Sequence, residues 1–449
     1  MDPLQAKPSS KKQVAAACSA DALYRTIRAD FQAIPEHAPG DVEATLADAL
    51  MTGFAVFSLK DASLLAFDQR RKTEHNLGTV YGIHKVLCDS QLRTRLDGVD
   101  PKGLRAPFHT LLGTLQRSGL LEPFRFLKGY YLMALDGTQV FRSDSRSSEA
   151  CLVQTDPKTG KKTYYQQMLQ GALIHPDRKE VLPLPPEMIV KQDGTAKNDC
   201  ERNAAKRFLE NFREAFPDLD VIVTEDALSP NAPHLRELKK HNLHFILGVK
   251  PGDHKFLFDD LDAAHREGLT KEFEIPDPSH PDGKHKFRYL NEVPINQSNL
   301  DLEVNFLEYW QISPSETKHF TWVTDLRITS KNAYPIMRGG RARWKIENET
   351  FNTLKNQDYH LEHNFGLGKE HLSAVFATLM VLAFLADQIQ QLCWPMFTAA
   401  WKKYKSKKAL WEAMRQIFQC FRLSSANMLY DALVHGVKFR EPDILYDTS

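Results

Sequence analysis

The chain has 449 residues, too many for one ordinary hydrophobic core, so two or three domains are expected. Its 42% hydrophobic and 26% charged content is that of an ordinary soluble globular chain, and a formal net charge of +1 leaves only local basic patches to support nucleic-acid binding. Six scattered cysteines (Cys18, Cys88, Cys151, Cys200, Cys393 and Cys420) form no CxxC pair, which argues against a disulfide framework or a zinc finger and for a reducing compartment.

In chain order, residues 1–20 are polar and read as a flexible tail; the basic residues of Met1–Lys12 precede no apolar core, so no signal peptide is expected. Residues 21–125 read as helical. Asp41 to Leu50 has an N-terminal acid and helical apolar spacing, and Phe108 to Leu121 repeats the pattern. With Gln69-Arg70-Arg71-Lys72 as a basic loop, this region is either a DNA-binding head or a helical cap with solvated charges. From residue 126 to 254 the pattern becomes α/β. Strands are expected over Tyr130–Leu135, Thr163–His175, Val181–Leu184, Leu219–Thr224 and His244–Val249, with helices over Asp199–Phe216 and Pro233–His241. Residues 255–325 carry turn residues and later strands and read as a β-rich insertion, after which the α/β domain resumes over 326–390. Leu372–Leu385 is the most apolar run; it falls short of the roughly 20 residues of a membrane span and reads as a core helix. Residues 391–449 form a helical C-terminal region whose lysine run, 402–408, is either a solvated helix face or a DNA-backbone contact.

Three acids stand out. Asp136 follows the apolar run Tyr130–Leu135, Asp226 follows Val221–Glu225, and Glu347 lies inside a helical pattern. An acid at the end of an apolar strand is costly unless something pairs with it, and a cation would serve all three. On a helix, Trp344, Phe351 and Leu354 share an arc with Glu347 at its middle, and Arg343 lies one turn earlier on the same side. Glu347 is therefore either half of a buried ion pair with Arg343 or a metal ligand beside an arginine aimed at phosphate. Asp136 has a second reading as an Asp-Gly turn residue, and Asp226 as the cap of the next helix. His175, His244 and His363 read as structural, with a supporting place around bound metal as the alternative for His363, which follows Glu362.

These blocks resemble a known family. Asp136-Gly137-Thr138, Thr224-Glu225-Asp226 and Arg343-Trp344-Lys345-Ile346-Glu347, followed by Phe351 and Leu354-Lys355, look like the catalytic blocks of bacterial insertion-sequence transposases with a DDE triad. Gln192-Asp193-Gly194, Asp199-Cys200-Glu201 with Lys206-Arg207, and Leu361-Glu362-His363-Asn364 look familiar as well. The resemblance implies a ribonuclease H-like mixed α/β sheet with a β-rich insertion between Asp226 and Glu347. It implies that Asp136, Asp226 and Glu347 bind Mg²⁺, with Mn²⁺ able to substitute, and that Arg343 and Lys355 contact DNA phosphates. Two such ions about 3.5–4 Å apart can hold the attacking and leaving oxygens of an in-line displacement. The implied activity is cleavage of the ends of a mobile element and their joining to target DNA, by a dimer on double-stranded DNA, in the bacterial cytoplasm at the nucleoid. The signature Tyr-x2-Arg-x3-Glu-x6-Lys is met by Arg343 and Glu347, but position 340 is Gly and Lys355 falls one residue late. The alternatives are a catalytically silent DNA-binding descendant of a transposase and a metal-dependent nuclease without strand transfer.

Overall fold

The computed structural model describes residues 11–38, 43–70, 74–190, 201–227, 229–278 and 280–437. Residues 1–10, Asp41, Arg71, Lys72, Gln192-Asp193-Gly194, Asp199, Cys200 and the last twelve positions, on which parts of the sequence reading fall, lie outside the described residues. The chain divides into two compact units, one of Met1–Leu111, Asn356–His360 and His371–Ser449 and one of Leu112–Lys355 with Leu361–Glu370.

The first unit is helical. It contains α1 (Lys11–Ala17), α2 (Ala20–Gln32), α3 (Leu46–Ser58), α4 (Leu64–Arg70), α5 (Glu74–Tyr81) and α6 (Asp89–Asp97). Lys11–Ala17 is thus helical where polar composition suggests a tail. Helix α3 starts at Leu46 and not at Asp41, because the Thr45 side chain accepts from the Asp48 amide and caps it there. Helix α7 (Ala106–Arg117) leaves this unit, while α13 (Leu372–Cys393), α14 (Pro395–Tyr404), α15 (Lys407–Cys420) and α16 (Ala426–His435) lie within it. Helix α13 is long and apolar enough to cross a membrane, yet it is buried almost along its whole length inside the unit. Being apolar all round is what a core helix requires. It packs closely on α3, where a Cβ added at Gly53 would stand 2.8 Å from a Leu379 methyl. The lysine run is split, because Lys405 adopts a left-handed conformation and Ser406 caps α15.

The second unit is built on one twelve-stranded sheet. Its strands are β1 (Arg125–Phe126), β2 (Tyr130–Ser143), β3 (Leu152–Thr155), β4 (Lys162–Ile174), β5 (Leu182–Pro183), β6 (Glu187–Ile189), β7 (Val221–Glu225), β8 (His244–Gly248), β9 (Lys271–Pro276), β10 (Lys284–Pro294), β11 (Glu303–Ile312) and β12 (Thr317–Thr324). The order is β3-β4-β2-β7-β8-β12-β11-β10-β9, with β1 on β2 and both β5 and β6 on β4. The antiparallel pair β2 and β4 leads to the parallel strands β7 and β8, the mixed sheet expected of a ribonuclease H-like domain. Every residue of β7 is buried, as a central parallel strand demands. The β-rich segment is not a separate layer, since β12 pairs antiparallel with β8 and prolongs the same sheet.

Helices α8 (Glu201–Ala215), α9 (Ala232–Lys240), α10 (Lys255–Arg266), α11 (Ala333–Ala342) and α12 (Asn352–Asn356) complete this unit. Helix α8 buries Ala204, Ala205, Phe208, Leu209 and Phe212 at helical spacing. It presses on β4 at Gly171, where a Cβ would meet the Phe208 ring at 2.2 Å.

Candidate active site

Asp136 is neither at the end of a strand nor in a turn. Strand β2 runs through it to Ser143, and its ladder partner on β4 is Gln170. Asp-Gly is turn chemistry only where the ladder stops, and here Gly137 pairs onward with Leu169. On its other side, β2 is last paired with β7 at Ala134–Thr224, and β7 ends at Glu225. Asp136 therefore stands just past the point where its parallel neighbour departs.

Asp226 is the first residue beyond β7. Strand alternation sends Glu225 and Asp226 to opposite sides. Glu225 is buried and paired with His234 at 3.0 Å, while Asp226 lines a cavity of about 440 Å³ together with Asp136. Asp226 does not cap the following helix, because Asn231 does so through its side chain.

Glu347 sits in a π turn, Ile346–Phe351, that leads into α12. Its neighbours Ile346, Thr350, Phe351 and Leu354 are buried, and the Glu347 side chain lies at the rim, 37% exposed. Trp344 does not share that buried face as helical spacing predicts; it is 52% exposed. The i→i+5 bonding of a π turn holds an extra residue, and this rotates the helical positions before the turn by roughly 100° relative to those after it.

Arg343 joins two of these acids. Its guanidinium bonds Asp136 at 3.2 Å and Glu347 at 2.8 Å, and lies 5.4 Å from the centre of the Trp344 ring. Both sequence readings of the Arg343–Glu347 pair start from this contact. Lys355 is turned to Glu362, at 2.9 Å. His175 packs on Phe126, His244 bonds Asp325 and His363 packs on Phe365.

Electrostatics tie the acids together. Burial pushes the Asp136 carboxyl up to about 7; Arg343 opposes this, and the charges of Glu347 and Asp226 add to it. Glu201, Arg202, Glu225 and His234 also line the cavity, and the sequence reading does not single them out as site residues. For Glu201 the signal is present: it lies four residues before Ala205 and seven before Phe208, in line with the buried stripe of α8 although itself exposed.

The donors are carboxylate oxygens, the hard ligands that suit Mg²⁺ or Mn²⁺. Among the described residues no three such side chains already stand close enough to grip an ion, and Arg343 is the cation that joins Asp136 to Glu347. Burial is the main cause of the raised Asp136 carboxyl, with Arg343 opposing it and Glu347 and Asp226 adding to it. The residues fit a divalent cation by the chemistry of their carboxylate oxygens.

The family model of the transposase DDE domain matches residues 127–385, more than half of the chain. The chain belongs to the transposase DDE domain family. No curated protein matches it. The matched span of this DDE transposase takes in Asp136, Asp226, Arg343, Glu347 and Lys355. Membership makes DNA the partner and divalent metal ions the general requirement of the family.

One departure from the family signature has a physical cause. A Cβ at Gly340, where the signature has tyrosine, would stand 2.4 Å from Nε1 of Trp322 on β12. The indole occupies the space of the missing side chain.

Proposed function

We propose that this transposase cuts DNA at the ends of its mobile element and joins them to target DNA, with Asp136, Asp226 and Glu347 holding divalent metal. The observation that carries the reading is Asp136 itself. It shares a cavity with Asp226 and, through one guanidinium, an ion-pair network with Glu347.

When bound, Mg²⁺ supplies charge neutralisation at the phosphate and activation of water or a DNA 3′-OH. The chain's own residues do the rest. Asp136 would lose its proton to solvent as the cation binds and take part as an anion. Arg343 exchanges a carboxylate for a phosphate oxygen of the DNA, a bond its planar fork suits. Lys355 makes the same exchange from Glu362 as a single-point contact. The stretch of β2 past Ala134, no longer paired with β7, is where the strand to be cut approaches.

Replacing Asp136, Asp226 or Glu347 by Ala is expected to abolish Mg²⁺-dependent nicking of an element-end duplex while circular dichroism stays that of the wild type. Nicking that persists in all three variants rejects the assignment. A joining assay on the same duplex separates a transposase from a nuclease without strand transfer, and absence of nicking in the wild type would favour the silent DNA-binding descendant.

A further inference from the structure

We propose that Glu201 is a further carboxylate of the cation site, reaching it across the edge of the sheet through the gap that Gly137 leaves. The inference rests on the metal-dependent reading above and extends it to a residue outside the triad.

Successive residues of a strand point to opposite faces, so Gly137 faces away from the side taken by Asp136. Helix α8 lies on the Gly137 side. A Cβ at Gly137 would stand 2.2 Å from Oε1 of Glu201 and 2.5 Å from its Cδ, so the carboxyl group rests directly on the glycine. Any other residue at position 137 would push it off. Glu201 nevertheless lines the same cavity as Asp136 and Asp226. This is possible because β7 stops pairing with β2 at Ala134, so no strand separates the two faces beyond it.

Glu201 has no hydrogen-bond or ion-pair partner among the described residues, and its side chain opens to solvent, which leaves an entry path. Next to the site, the Thr224 hydroxyl is fully buried and unbonded, one pleat before Asp226 on the same face of its strand. An acid in the first turn of a helix commonly serves the helix dipole alone. That role explains neither the glycine beneath the carboxylate nor its position beside two other acids.

The test is binding of Mn²⁺ to the full chain without DNA, measured by calorimetry and by the metal-induced rise in melting temperature. Wild type, Glu201→Gln, Gly137→Ala and Asp136→Asn are compared. Glu201→Gln should weaken Mn²⁺ binding by about tenfold or more, the scale of losing a supporting group at a metal site. Its melting temperature without metal should stay at or above that of the wild type, because an unpartnered charge has been removed. Gly137→Ala, which displaces the carboxylate without altering it, should weaken Mn²⁺ binding as well. Wild-type affinity in Glu201→Gln alongside lost affinity in Asp136→Asn would overturn the inference and leave the triad standing. A wild-type chain that takes up no Mn²⁺ would overturn both.

Discussion

Asp136 keeps its proton to about pH 7 chiefly because it is buried, which Arg343 opposes and the charges of Glu347 and Asp226 reinforce. Unfolded, the same group titrates near 3.9. Between those values the folded state holds a proton that the unfolded state has lost, so by linkage the contribution to stability is present at low pH and disappears as pH rises to about 7. The metal-free chain is therefore expected to become less stable from pH 4.5 to 7.5, by up to about 3 kcal/mol for a group perturbed this far. Asp136→Asn should flatten that slope, and urea unfolding across the range measures it. A slope identical in wild type and variant would show that the proton sits elsewhere. At the residue scale, Asp136, Asp226 and Glu347 are legible as candidates because an acid beside buried apolar residues is rare without a partner. Glu201 carries a signal too, its alignment with the apolar stripe of its helix, but an acid opening a helix has a commonplace explanation that masks it.

At the scale of elements, local pattern and neighbours part company. Strand β7 is readable almost to its boundary, since all its residues are buried and apolar pattern alone marks such a strand. The end of the Asp136 strand is not, because Asp-Gly favours a turn until β4 supplies a ladder partner on its far side. The Trp344 misplacement has the same origin, as a π turn leaves no mark in a 3.6-residue periodicity. Gly340 shows what close packing demands of an element. Alanine within a helix normally gains about 1 kcal/mol over glycine. Here a Cβ would press on Trp322 at 2.4 Å, so Gly340→Ala is expected to destabilise by about 1–3 kcal/mol net of that gain. In a Trp322→Ala background the penalty should vanish, which a double-mutant cycle by chemical denaturation tests. Equal penalties in both backgrounds would disprove the contact.

For the whole molecule, contacts distant in sequence decide the cores of the two units. In the helical unit, Lys60 is completely buried and bonded to Asp387, which also accepts the Tyr359 hydroxyl. The ammonium lies 4.1 Å from the centre of the Trp411 ring. Lys60→Met should cost about 3–5 kcal/mol in urea unfolding, because it strands a buried carboxylate, and Asp387→Leu added to it should restore much of that loss. A double variant no more stable than the single would argue that the network, and not the unpaired charge, carries the energy. Local pattern was enough to establish the kind of molecule, a mixed α/β domain flanked by helical regions, and to mark the three acids with Arg343. Burial periodicity and the cost of an unpaired acid act within a few residues, so both leave a trace in the order of the amino acids. Three further facts came from the folded chain alone: the β-rich segment joins the central sheet, Arg343 bonds two acids at once, and Gly137 makes room for Glu201. Each of them depends on atoms brought together from distant parts of the chain, and no local pattern records which partner a side chain will meet.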